Sequence, residues 1–456
     1  MGLGKVFEAF AKESPVCVML RVAMERIVEP ERLDEWFEAH AEGQYTRDLL
    51  FSTVFDLVSK VVSGSYPSVH AAYQVSEEDI EVSLTSVYNK LNNIETNTSA
   101  GLVRYAAEEA TAIIEELGGS QAPLLPGYRV KLLDGNCIEA SEHGIEELRP
   151  LREGPLPGKS LVVYDTALRM PIDVFPCEDG HAQERSLLGQ VLPTVEASDV
   201  WIADRNFCTR QFLSAIADRQ AFFVIRQHGK LPREPAGKEA PAGNVETGKV
   251  YEQPIEVVDE DGNAWEFRRI RVVLKKATRD GDKEIAIITN LTKQQASATA
   301  IAELYRKRWT IETAFQELAL HFNSEINALG YPPAALFCFC VTLVAYIILA
   351  VAKAAMSSVH GKETVDKKIS GYYLADEIAQ TYRGMMIAIP FENWSVFRDL
   401  SRKEFIKVLQ QLAANMKLTR YRKHPRGPKK KSKKQKADPK KTHVSTARII
   451  AKRKKR

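Results

Sequence analysis

Nineteen consecutive residues without a charge, 334–352 (AALFCFCVTLVAYIILAVA), constrain this chain more than any other feature. A run of that length is about what crosses a bilayer. A helix apolar on every side is equally what lies at the buried centre of a large domain. The run is rich in small residues, carries Thr342 and Tyr346 near its middle, and directly follows an amphipathic segment bearing a polar cluster at 305–312. We read it as a core helix, which needs a large domain around it, and 456 residues at 45% hydrophobic content can build one. The rival reading is a membrane-anchored protein with a basic cytosolic tail.

Charge is distributed unevenly. Residues 417–456 hold nineteen Lys and Arg against one acid, Asp438, while the rest of the chain holds 44 bases and 58 acids. A cationic tail fits nucleic acid, because each neutralised phosphate releases counterions and adds sequence-independent affinity. A solvated extension that only aids solubility is the plainer alternative. Six cysteines without a CxxC pair fit a reducing compartment and exclude a zinc ribbon or disulfide framework. The first twenty residues lack the charge and apolar layout of a secretory signal, so a cytoplasmic protein is expected.

Hydrophobic periodicity divides the chain. Residues 1–120 read as helical, with Leu49, Leu50, Val54, Leu57 and Val61 on one face. Ser83 is placed to cap a helix whose outward Thr85, Ser86, Asn89 and Lys90 would suit a DNA groove, although a surface helix packing its apolar side explains them as well. Residues 121–226 show strands at 128–138, 159–175 (a hairpin turning near 167–170), 199–203 and 221–226, with helices near 181–191 and 209–219. Three strands, then helix, strand, helix, strand is the order of a ribonuclease-H-like α/β sheet. Residues 227–292 read as an inserted antiparallel β element, marked by Gly/Pro-rich and Asp-Gly turns. Residues 293–355 return to helix, continuous over 297–320. Residues 356–416 are mostly helical, and 417–456 read as a disordered basic tail.

Three acids stand at element ends where a metal site could assemble. Asp134 lies in LLDGN at the close of an apolar strand, Asp204 in WIADRNF directly after another, and Glu312 in YRKRWTIETAF on the helix after the β insertion. In an open α/β sheet, residues at the carboxyl ends of strands face the ligand crevice. Taken singly, each acid is as readily a turn former, helix cap or salt-bridge partner. Tyr305, Arg308 and Glu312 are spaced three and four apart, so one helix would present all three on one face.

YRKRWTIE fits the Y-x2-R-x3-E signature, and with Asp134 in a DG context, Asp204 in DRNF and a β-rich insertion before Glu312, the chain resembles DDE transposases of the insertion-sequence-four type over about 127–346. The resemblance implies a ribonuclease-H-like core in which Asp134 bridges two Mg²⁺ ions, Mn²⁺ being able to substitute, while Asp204 and Glu312 hold one each. It also implies that Tyr305 and Arg308 contact the DNA backbone. Nicking at insertion-sequence ends, hairpin formation and resolution, strand transfer into target DNA, and synapsis of two double-stranded ends by a homodimer follow from the same resemblance. The family pattern adds a Lys seven residues after the Glu; here that position is Ala319, and His321 cannot be assigned its role.

The chemistry is self-consistent. Mg²⁺ prefers oxygen ligands, so three carboxylates suffice without His or Cys, and paired divalent ions serve both the attacking and leaving oxygens of a phosphodiester. Arg308 offers a fork of donors to phosphate. Trp309 suits stacking on a displaced base or, equally, a place in the core. The alternative raised by Ala319 is a catalytically weakened or inactive DNA-binding derivative.

Overall fold

Between residues 129 and 226, segments rich in β-branched and aromatic side chains form five strands of a central sheet: β1 (Arg129–Cys137), β2 (Lys159–Asp165), β3 (Met170–Cys177), β4 (Asp199–Ala203) and β5 (Phe222–Arg226). The structure is a computed structural model that describes residues 4–44, 48–139, 141–278, 281–424 and 443–454, the side chains of 317–321 and 453–454 excepted. In space the strands run β3-β2-β1-β4-β5. β1, β2 and β3 are antiparallel neighbours, whereas β4 lies parallel to β1 and β5 parallel to β4. Helices cross between the parallel strands, as their connection requires. The result is a mixed α/β fold whose strand order is consistent with a ribonuclease-H-like core.

The β-rich stretch after β5 extends this sheet. β6 (Gly248–Val258), β7 (Ala264–Leu274) and β8 (Glu284–Thr289) form an antiparallel ladder, and β8 pairs with β5 through Ile287↔Arg226 to Thr289↔Val224. The hairpin signals at Asp-Gly are local, but the edge on which the ladder docks is set by β5, some sixty residues earlier.

Alternation along the strands gives the sheet two apolar faces. Leu133, Trp201 and Phe223 pack with Leu187, Val191, Phe212 and Ile216 on one side. Val130, Leu132, Val200, Ile202 and Val224 face the helical body on the other. That body contains α1 (Pro15–Ile27), α2 (Phe51–Val62), α3 (Thr96–Glu116), α4 (Ala298–Arg306), α5 (Trp309–His321), α6 (Pro332–His360) and α7 (Arg402–Ala414). The uncharged run lies within α6, which packs against α1, α2, α3, α7 and β3. Among the described residues it is the one helix long and apolar enough to cross a membrane, and 94% of its most apolar stretch is buried inside the protein. It is a core helix, and helices from both ends of the chain cover it.

Three local expectations change. The helix read as continuous over 297–320 breaks at Lys307 and Arg308. There Lys307, Arg308, Thr310 and Ile311 donate to carbonyls three residues back, a tightened turn that re-aims the chain between α4 and α5. Ser83 does cap the helix Leu84–Leu91, accepting from Ser86 N, and Thr85, Ser86 and Asn89 are exposed. Lys90 is spoken for: it donates to Leu49 O and lies over the Phe37 ring, 5.0 Å from its centroid. Finally, the tail is not disordered throughout. Tyr421 is buried and hydrogen-bonds Glu377, His443–Ser445 pairs in parallel with Gly154–Leu156, and α8 (Thr446–Lys454) follows, with Arg448 bonded to Asp179 at 2.7 Å. Apolar Val444 and the strand edge at 154–156 provide the anchor that composition alone hides. The intervening lysine-rich stretch, 425–442, lies outside the described residues.

Candidate active site

Parallel pairing of β1 and β4 ends at Leu133↔Ala203, so Asp134 and Asp204 are the next residues on the two neighbouring strands. Asp134 continues in β1 opposite Val162 and shares a strand face with Val130 and Leu132, toward α4 and α5. It is therefore inside the strand rather than at its close. At Asp204 the chain leaves β4, and the carboxylate caps a single turn, Arg205–Phe207, accepting from Asn206 N at 2.6 Å. Gly135 N likewise donates to Asp134 Oδ1 at 3.0 Å.

Glu312 arrives from the first turn of α5, and the break before that helix puts Arg308 between the acids. Its guanidinium pairs with Asp134 Oδ2 at 3.2 Å and with Glu312 Oε1 at 2.5 Å. Among the described residues Arg308 Nε is buried without a hydrogen-bond partner. The guanidinium also lies over the Trp309 ring, 5.2 Å from its centroid. Trp309 is 61% exposed, which settles against a place in the core, and it borders a cleft of about 330 Å³ lined also by Tyr164, Arg169, Tyr346, Lys353 and Lys423. Tyr305 lies in the last turn of α4 with 7% exposure. The Arg308 side chain is only 11% exposed, so of the three residues expected on DNA it is Trp309 that stands open at the surface.

Burial pushes the Asp134 carboxyl up to about 7; Arg308 pulls it down, and the negative charges of Asp204 and Glu312 push it up further. Burial likewise raises the Tyr305 hydroxyl. The Asp134 shift has a testable sign. Between about pH 4 and pH 7 the unfolded chain gives up this proton and the folded chain keeps it, so stability owed to this group is complete below about pH 4 and declines as pH rises through 7. Asp134→Asn, which stays neutral, should be more stable than the parent at pH 8 by about 1–3 kcal/mol and level with it at pH 4. Urea unfolding at the two pH values checks this; equal differences at both would contradict it.

A fourth carboxylate lies beside Gly135 and Asn206, the residues that follow the two aspartates. Glu184 opens the turn Glu184–Leu187 after β3, and its Oε2 accepts from Asn206 Nδ2 at 3.1 Å. Its side chain rests on Gly135: a Cβ there would be 2.7 Å from Glu184 Cδ and closer still to Oε1. Nothing in HAQERSLLG marks this Glu among the acids of the chain; the Gly after Asp134 was the available signal.

These residues lie in a segment with known relatives. Residues 126–343 match the family described as transposase DDE domain. This segment is similar to a transposase DDE domain. The chain is 28% identical over 171 residues to a Sinorhizobium fredii (strain NGR234) protein that carries a transposase name, y4zB, covering 36% of this chain and 45% of that protein. It is 26% identical over 234 residues to the transposase for insertion sequence element IS421 of Escherichia coli, covering 43% of this chain and 59% of that one. The chain thus spans about half the length of the curated relatives it matches. A solved piggyBac transposase synaptic complex with hairpin DNA aligns over 92% of this chain and 88% of that one at 9% identity with a TM-score of 0.37, a likeness too distant to carry weight.

The DDE transposase family implies a divalent metal. Among the described residues, no three His, Cys, Asp or Glu side chains converge closely enough to hold one. The donor set nevertheless suits a hard cation in kind: it is all carboxylate oxygen, and Asp134 is held above the ordinary carboxylate range partly by its acidic neighbours. A guanidinium is the positive charge between Asp134 and Glu312. The side-chain surroundings of Ala319 and His321 lie outside the described residues.

Proposed function

We propose that the chain is a DNA transposase that cleaves and joins strands at insertion-sequence ends, with Asp134, Asp204 and Glu312 as its acidic triad on a ribonuclease-H-like core. The observation that carries this is the placement of Asp134 and Asp204 on neighbouring strands directly after their parallel pairing ends, with Arg308 linking Asp134 to Glu312, inside a segment that matches the transposase DDE domain. The three carboxylates would hold Mg²⁺ or Mn²⁺, which when bound lowers the pKa of the attacking hydroxyl and offsets charge on the phosphate.

The chain's own residues supply positioning. Arg308 balances Asp134 and Glu312, and its guanidinium would offer a fork of donors to a DNA phosphate beside them. The exposed Trp309 ring, with Arg308 against it, offers a stacking surface for a base beside the triad. Tyr305, enclosed at the end of α4, supports the turn that carries Arg308. Double-stranded DNA, as ends and target, is the partner; a homodimer would bring two ends together; and the protein would work in the cytoplasm, on the nucleoid.

Incubating the purified protein with DNA carrying its flanking inverted repeats, with Mg²⁺ or with a chelator, tests the reading. Metal-dependent nicking at the ends is expected. Binding without cutting under either metal would favour the inactive derivative that Ala319 raises.

The tail adds affinity. Removing residues 425–456 should weaken DNA binding and reduce the slope of log Kd against log salt, leaving metal binding intact. Truncation at 417 should also destabilise the body, because it strips the buried Tyr421 from Glu377. Titrations at three salt concentrations and a melting curve for each truncation check both outcomes; an unchanged salt slope would remove the tail from the DNA interface.

A further inference from the structure

The two aspartates that follow the last parallel pair of β1 and β4 are steadied in the same way, each by a backbone N–H close after it, and one side chain touches both steadying residues. Gly135 N holds Asp134 Oδ1 and Asn206 N holds Asp204 Oδ1. Glu184 lies on Gly135 and accepts from the Asn206 side chain. Residues adjacent in a strand point to opposite faces. The Cβ that Gly135 lacks would therefore project away from the Asp134 carboxylate, onto the face shared by Leu133, and Glu184 occupies that side together with Leu187.

We infer that Glu184 is a positioning residue: a brace beneath the sheet that fixes the relative orientation of Asp134 and Asp204 for a divalent cation, without itself ligating it. The inference rests on the metal-site reading given above. The absence of a side chain at Gly135 is what makes room for the brace, and Asn206 is the link to Asp204. The role requires an acceptor oxygen at that place and not a negative charge. The amide oxygen of a glutamine introduced by Glu184→Gln would serve the Asn206 amide as well as the carboxylate does, whereas alanine would leave both contacts empty. Residues that orient metal ligands typically change metal affinity by about 10–100-fold when removed.

The test is Mn²⁺ binding to the full chain, followed by the electron paramagnetic resonance signal of the free ion, for the parent and for E184A, E184Q, G135A and D134A. The Mg²⁺ concentration giving half-maximal cleavage is measured alongside. E184A should weaken Mn²⁺ binding by about 10-fold or more and raise the Mg²⁺ requirement with little change in rate at saturating Mg²⁺. E184Q should restore binding to within about twofold of the parent. G135A should reproduce E184A with Glu184 still present, because its methyl group takes the carboxylate's place. A melting curve for each variant accompanies the titration, and G135A tests the brace independently should E184A fold poorly. Parent-like Mn²⁺ binding by both E184A and G135A would overturn the brace alone. E184Q as impaired as E184A would overturn it in favour of a charge requirement. A parent chain that binds Mn²⁺ no better than D134A would overturn the metal site itself, and the brace with it.

Discussion

Asp134→Ala and Glu312→Ala should each reduce metal-dependent cleavage of end-containing DNA by on the order of 10²–10³-fold, the scale seen when one group that stabilises developing charge is lost. The two substitutions act on different elements, a strand and a helix, and converge through Arg308. Neither should unfold the chain. Asp134 is disfavoured in its charged form by burial, so its removal relieves a cost near neutral pH, and Glu312 keeps 27% side-chain exposure. Because loss of one acid frees Arg308 from one partner, DNA binding should persist and could tighten, as the guanidinium becomes more available to phosphate. Single-turnover cleavage and gel-shift binding on the same preparations separate the two effects. Undiminished cutting by either variant would end the assignment of the triad.

The second large effect concerns α6. Leu343 is fully buried, and Leu343→Ala should cost about 2–5 kcal/mol, the range for emptying a packed leucine site. Leu343→Lys should prevent folding, since a charge there has no partner and no path to water through the helices packed around α6. A bilayer-spanning segment would respond differently: leucine to alanine costs little in lipid, and the protein would require detergent whatever residue stands there. Recovery of the parent chain without detergent, together with loss of soluble Leu343→Lys, is the expected pair of results. Detergent dependence of the parent would contradict the core placement.

How much of this was legible beforehand differs by element. The strands β1 to β5 could be read because alternating or continuous apolar runs are local signals, and their order in the chain already suggested an α/β sheet. Asp204 was readable for the same reason: DVWIA ends where the polar DRN begins. Arg308 was only half readable. Its spacing from Glu312 indicated a pair, but the turn that breaks the helix at Lys307 and Arg308 contains no Pro or Gly to announce it. The docking of α8 through His443–Ser445 was obscured by the lysine-rich composition around it. Glu184 could not be found at all, since its significance lies in contacts with Gly135 and Asn206, 49 and 22 residues away along the chain.

By itself, then, the sequence determined the periodicities, and through them which segments are strands and helices and that Asp134 and Asp204 follow apolar runs. Periodicity is a property of neighbours along the chain, written at two or 3.6 residues per repeat. The tertiary structure alone decided that the uncharged run is covered by helices from both ends instead of lipid, that the β-rich stretch extends the central sheet, that Arg308 stands between two of the acids, and that Glu184 sits beneath Gly135. Each of these is a meeting of residues far apart in the chain, and burial, desolvation and charge act on such residues only once folding has brought them together.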